Sequence, residues 1–127
     1  MSNWKTLIAT IVCSFHTTLL SAGEVDVEAV SFEQAADGSY RFDVTLRHAD
    51  SGWDHYADRW EVLSSTGEII ATRTLYHPHV NEQPFTRSLS GVKLPDGITR
   101  VVVRGHDSVH GYGGKEKQID LPPTAAK

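Results

Sequence analysis

The 127-residue chain carries 12 Lys and Arg against 16 Asp and Glu, a formal net charge of −4. Setting aside an apparent leader, roughly 100 residues remain, enough for one domain with one modest core and too few for a two-domain enzyme. A mildly acidic balance without a basic block argues against nucleic acid or an anionic membrane surface as partner.

Residues 1–23 have the make-up of a cleaved secretory signal. Lys5 supplies the positive start, 6–20 is mostly apolar, and Ser21, Ala22 and Gly23 are the small residues a signal peptidase reads. Ser14, His16, Thr17 and Thr18 make the apolar stretch too short and too polar for a membrane span. The single cysteine, Cys13, falls inside this leader without the setting of a lipid-anchored cysteine, and the only methionine is the initiator. The expected mature domain, 24–121, therefore has no thiol nucleophile, disulfide or sulfur ligand. Residues 122–127 read as a flexible tail. Export places the domain in a periplasm or outside the cell, without a membrane once the leader is gone.

Beyond the leader, period-two alternation dominates, and no segment sustains a 3.6-residue period. Strands are predicted over 25–32, 39–48, 58–63, 68–76, 85–92, 98–104 and 117–121. In the first, Val25, Val27 and Ala29 share a side. In the second, Tyr40, Phe42, Val44 and Leu46 form the buried face and Arg41, Asp43, Thr45 and Arg47 the wet one. Trp60 and Val62 point inward from the third, opposite Arg59 and Glu61. The connections alternate in kind. Asp37-Gly38, Ser65-Thr66-Gly67 and Pro95-Asp96-Gly97 are tight, glycine-containing reversals. Longer loops cover 49–57, 77–84 and 107–116. Because each strand carries the chain from one end of a sandwich to the other, the tight turns are expected at one pole and the long loops at the opposite one.

The strand pattern, the length and an inward Trp60 resemble immunoglobulin-like or fibronectin-like antiparallel β-sandwiches of about seven strands. The resemblance implies an all-β fold and, by itself, no function.

Six of the seven histidines lie beyond the leader, and all six fall in long loops or at strand ends that enter them. His77 and His79 form an H-x-H element; on an extended backbone their imidazoles point to the same side and can reach one ion. His106 and His110 flank three residues ahead of the glycine-rich 111–114. His48 continues the inward face of its strand. A lone loop histidine is usually a surface or hydrogen-bonding group, so clustering carries the expectation of a metal site. His77 and His79 lead the candidates, then His106 and His110, then His48; His55 reads as structural. Asp54, Asp58, Glu82 and Asp107 are carboxylates in reach, as ligands or as acceptors that fix a histidine tautomer. Imidazole and carboxylate donors without sulfur suit Zn, Cu(II), Ni or Fe. No histidine stands at the expected mature terminus to build a copper site there.

Other features have plainer readings. Trp53 and Tyr56 are expected to cover the end of the core, Arg87 to clamp Glu82, and 111–114 to form a mobile loop able to close over the pole. No G-x-S-x-G elbow surrounds any serine. The leading expectation is a small exported protein that binds a divalent metal for binding, delivery or site organisation. The alternatives are a metal-free module for a protein or small-molecule partner and, ranked last, a small metalloenzyme.

Overall fold

The computed structural model describes residues 23–122. The expected signal, apart from Gly23, and nearly all of the expected tail lie outside the described residues. Seven strands form, and no helix occurs among the described residues: β1 (Asp26–Gln34), β2 (Tyr40–Arg47), β3 (Ala57–Ser64), β4 (Ile69–Thr74), β5 (Phe85–Val92), β6 (Arg100–Asp107) and β7 (Lys117–Asp120). They pair into two antiparallel sheets, of order β1-β2-β5 and β4-β3-β6-β7. All seven predicted strands have counterparts, with ends displaced by a few residues.

Alternation places the core between the sheets. Phe42, Val44 and Leu46 from β2 meet Trp60 and Val62 from β3 and Val101 and Val103 from β6 in one buried cluster. Each of these side chains contributes about 1.5–3 kcal/mol by leaving water. Trp60 is fully buried as expected. On the opposite face of β3, Glu61 is also buried, because Arg59 and Arg104 fold over it.

The first strand departs from simple alternation. Val25 and Val27 are buried, but Ala29 is exposed. A bulge between Val27 and Ala29 inserts one extra residue, after which Val30 and Phe32 face the core. Period-two reading cannot see such an insertion, since the bulge resets which parity faces inward.

The connections sort to two poles as parity requires. Tight-turn residues 37, 38 and 95–97 line one shared cleft. At Gly67 the backbone takes φ +90°, a conformation that glycine adopts without a Cβ penalty. At the other end the long loops are tied to one another. Asp50 Oδ2 accepts from the His79 amide at 2.7 Å, and the Ser108 amide donates to the Tyr56 carbonyl at 3.0 Å.

Candidate metal centre

The long-loop pole is built around two buried aspartates. Asp50, two residues beyond His48, is an acceptor hub. Its Oδ1 pairs with His48 Nδ1 and accepts from the Ala57 amide at 3.0 Å. Burial alone would raise the Asp50 carboxyl; the hydrogen bonds from His48, His79 and Ala57 outweigh it and hold the group below its ordinary value. Gln83 completes the scaffold by accepting from the His48 amide at 2.9 Å and donating to the His79 carbonyl at 3.0 Å.

Asp107 ends β6 and starts the last long loop. Its Oδ1 accepts from the amides of Val109 and His110, an arrangement that turns the chain and brings the His110 ring back over the strand end. Its Oδ2 is buried and has no hydrogen-bond partner among the described residues. Burial pushes this carboxyl up. The His110 and Val109 amides, with the charges of His48 and His110, overcome that and bring it below its usual value. An ionised, buried carboxylate oxygen without a hydrogen bond is costly unless a positive charge stands beside it.

Two imidazoles face that oxygen and a third its twin. His48 Nε2 is 3.5 Å and His110 Nδ1 3.4 Å from Asp107 Oδ2, while His55 Nε2 is 3.6 Å from Oδ1. His55 Nε2 and His110 Nδ1 are 3.2 Å apart. The donor atoms of His48, His55 and Asp107 all lie within 4.8 Å of one another. With bonds of about 2.0–2.1 Å, ligands of a tetrahedral ion stand about 3.3–3.4 Å apart. Most of the measured separations match that spacing. Asp50 supplies the outer contact, a carboxylate on the far nitrogen of His48 that orients the ring and directs Nε2 inward. Burial acts to lower the His48 pKa. The bonds to Asp50 and to the Gly23 carbonyl, with the Asp50 and Asp107 charges, reverse that and raise it.

The remaining expected candidates stand elsewhere on the pole. His79 stacks on Phe85 with centroids 4.0 Å apart, and its Nε2 faces Arg87 Nη2 at 2.9 Å. Its pKa is lowered, by burial first and by Arg87 second. His77 is exposed, edge-on to Trp53 at 6.2 Å. His106 pairs through Nδ1 with Asp58 at 2.6 Å and packs edge-on against Tyr112. The structure thus gathers His48 and His110 with His55 and Asp107, and leaves His77, His79 and His106 with other partners. Sequence pattern alone places His55 last and does not single out Asp50. One signal was legible for the latter: a carboxylate two residues after an inward-facing histidine shares its side of an extended chain.

Three neighbouring expectations are also decided. Arg87 does clamp Glu82, at 3.4 Å. Trp53 does not cover the core; it is 65% exposed and touches Tyr56 edge-on. The 111–114 segment packs against the domain at two points. Tyr112 lies against the Arg104 guanidinium, 3.7 Å from ring centre, and Gly114 approaches the Val25 carbonyl too closely to admit a Cβ.

Comparison with known proteins gives a relative from Halomicrobium mukohataei named "Putative lipoprotein". It is 41% identical over 112 residues, which cover 88% of this chain and 55% of that protein. The chain therefore spans about half the length of the curated relative it matches. No protein-family model matches the chain, and no solved structure does.

Proposed function

We propose that the chain is an exported sandwich domain, immunoglobulin-like or fibronectin-like, that binds one divalent transition metal at its long-loop pole. His48, His55 and Asp107 are the principal ligands and His110 the fourth. The observation that carries the reading is the buried Asp107 carboxylate: its Oδ2 is unpartnered among the described residues and faces His48 Nε2 and His110 Nδ1, and His55 Nε2 stands beside its Oδ1. Three-plus-four antiparallel sheets sharing one core support the fold assignment. A relative named as a lipoprotein supports export. Nitrogen and carboxylate donors favour Zn, Ni, Cu(II) or Fe(II). The role is binding, delivery or site organisation rather than turnover, a reading supported by the burial of His48 and Asp107.

Untagged protein should take up zinc at one ion per chain. At a hundredfold excess of free zinc over Kd, stability should rise by about 2.7 kcal/mol, or roughly 10–20 °C in Tm. His48→Ala and Asp107→Ala should abolish both effects, whereas the double variant His77→Ala/His79→Ala should retain them. Stoichiometry near zero in the wild type, with no metal-dependent Tm, overturns the assignment.

A further inference from the structure

Gly23 opens the described chain and is buried, although the small-residue pattern around it reads as the end of a leader. Its carbonyl oxygen lies 3.0 Å from His48 Nε2 and 3.2 Å from His55 Nε2. These are the two nitrogens the proposed site offers to an ion. Hydrogen bonding alone leaves the second of them oversubscribed. His55 Nε2 carries one hydrogen at most and faces both this carbonyl and His110 Nδ1. His48 faces acceptors at both ring nitrogens, Asp50 at Nδ1 and Gly23 at Nε2, a pair that only the doubly protonated ring serves by hydrogen bonding. A cation at the common centre removes the conflict, because every one of these atoms can then direct a lone pair at it. Separations of 3.0 and 3.2 Å are also those of adjacent ligands on one ion with bonds of about 2.0–2.2 Å.

The main chain comes this close only because residue 23 has no side chain. A Cβ there would stand 2.4 to 2.8 Å from three atoms of the His110 ring. One glycine therefore touches all three imidazoles.

We infer that the main-chain carbonyl of Gly23 is a ligand of the metal site, and that Gly23 belongs to the folded domain rather than to the removed leader. The inference rests on the metal-site reading above and extends it. The donor set becomes three imidazole nitrogens, one carboxylate and one peptide carbonyl. Processing then has to stop no later than Ala22, one residue before the boundary suggested by Ser21-Ala22-Gly23.

Two measurements test this. The full chain is exported from a bacterial host, and the mature product is weighed intact; its mass should correspond to a start at Gly23 or earlier. Zinc affinity is then measured by chelator competition for this product, for Gly23→Ala and for a chain starting at Glu24. Both variants should bind zinc at least tenfold more weakly. With cobalt(II) as a probe, the visible bands of the Glu24-start chain should differ in intensity from those of the longer product, reporting the lost ligand. The Glu24-start chain adds no side chain to the pocket, so it remains informative if Gly23→Ala fails to fold. If the longest product binds no zinc, the function proposed above fails. If that product binds zinc and the Glu24-start chain binds within twofold of it, the Gly23 inference fails alone. An exported product that begins at Glu24 and holds zinc overturns it too.

Discussion

Glu61 shows how a charged residue can be buried on the outer face of a sheet. Its carboxylate meets Arg104 at 2.8 Å and Arg59 at 3.4 Å, and Tyr112 closes over Arg104 from outside. Burial raises its pKa, but the Arg104 and Tyr112 hydrogen bonds and the two arginine charges more than compensate, so the folded value lies below the ordinary 4.5. A depressed carboxylate contributes stability that is fully present above its unfolded pKa and is lost as pH falls through the folded value. The wild type should accordingly lose Tm as pH drops from about 5 toward 3. Glu61→Gln should cost about 1.5–3 kcal/mol at neutral pH, the range for hydrogen bonds to charged groups, and should flatten that acid limb. Urea unfolding at pH 7 and pH 3.5 measures both; an unchanged acid limb in the variant would remove Glu61 from the account.

Among the strands, β1 carries the clearest structural lesson. Its bulge between Val27 and Ala29 lets Val25 and Val27 on one side of the irregularity, and Val30 and Phe32 on the other, face the same core. Deleting Glu28 should therefore be tolerated, because all four side chains stay inward and only the exposed Arg47–Glu28 pair is lost, worth about 0–1 kcal/mol. Deleting Ser31 from the regular part of the ladder should turn Val30 or Phe32 outward and cost about 1.5–3 kcal/mol. Denaturant midpoints compare the two, and equal losses would mean that the bulge does not set the register. The same strand marks how far the sequence can be read. β2, with its strict alternation from Tyr40 to Arg47, was legible residue by residue, as were Trp60 and the glycine turns. The bulge was not, since an inserted residue leaves no mark in composition. Nor was the choice among six loop histidines. Parity puts them at one pole, but which rings converge depends on loop paths set by Asp50, Gln83 and Asp107. Those are hydrogen bonds to main-chain groups, and no sequence period reports them.

At the scale of the whole molecule, the two poles are separate machines on one core. Tight turns at one end close the β1–β2 and β3–β4 hairpins and carry the chain from β5 to β6 in the other sheet; loops at the other end hold the histidines. Gly67→Ala places a Cβ on a φ of +90°, which should cost about 1–2 kcal/mol. It should nevertheless leave the zinc-dependent rise in Tm at its wild-type size. A rise that shrinks with Gly67→Ala would show that the poles are coupled. The long-loop pole also holds Trp53, Tyr76, Val80 and Val109, each more than half exposed, so the candidate centre is bordered by apolar surface. Its N-terminal wall is seated firmly. The Val27 amide donates to the Lys115 carbonyl at 2.8 Å, the Lys115 amide to Asp26 at 2.7 Å, and Gly114 and Gly105 leave just enough room for Val25 to lie against both. The start of β1 and the 108–116 loop are thereby fastened to each other, and are expected to open as one unit. For the ion proposed above, the residence time should then follow the shared opening of that unit rather than the independent breathing of any single loop.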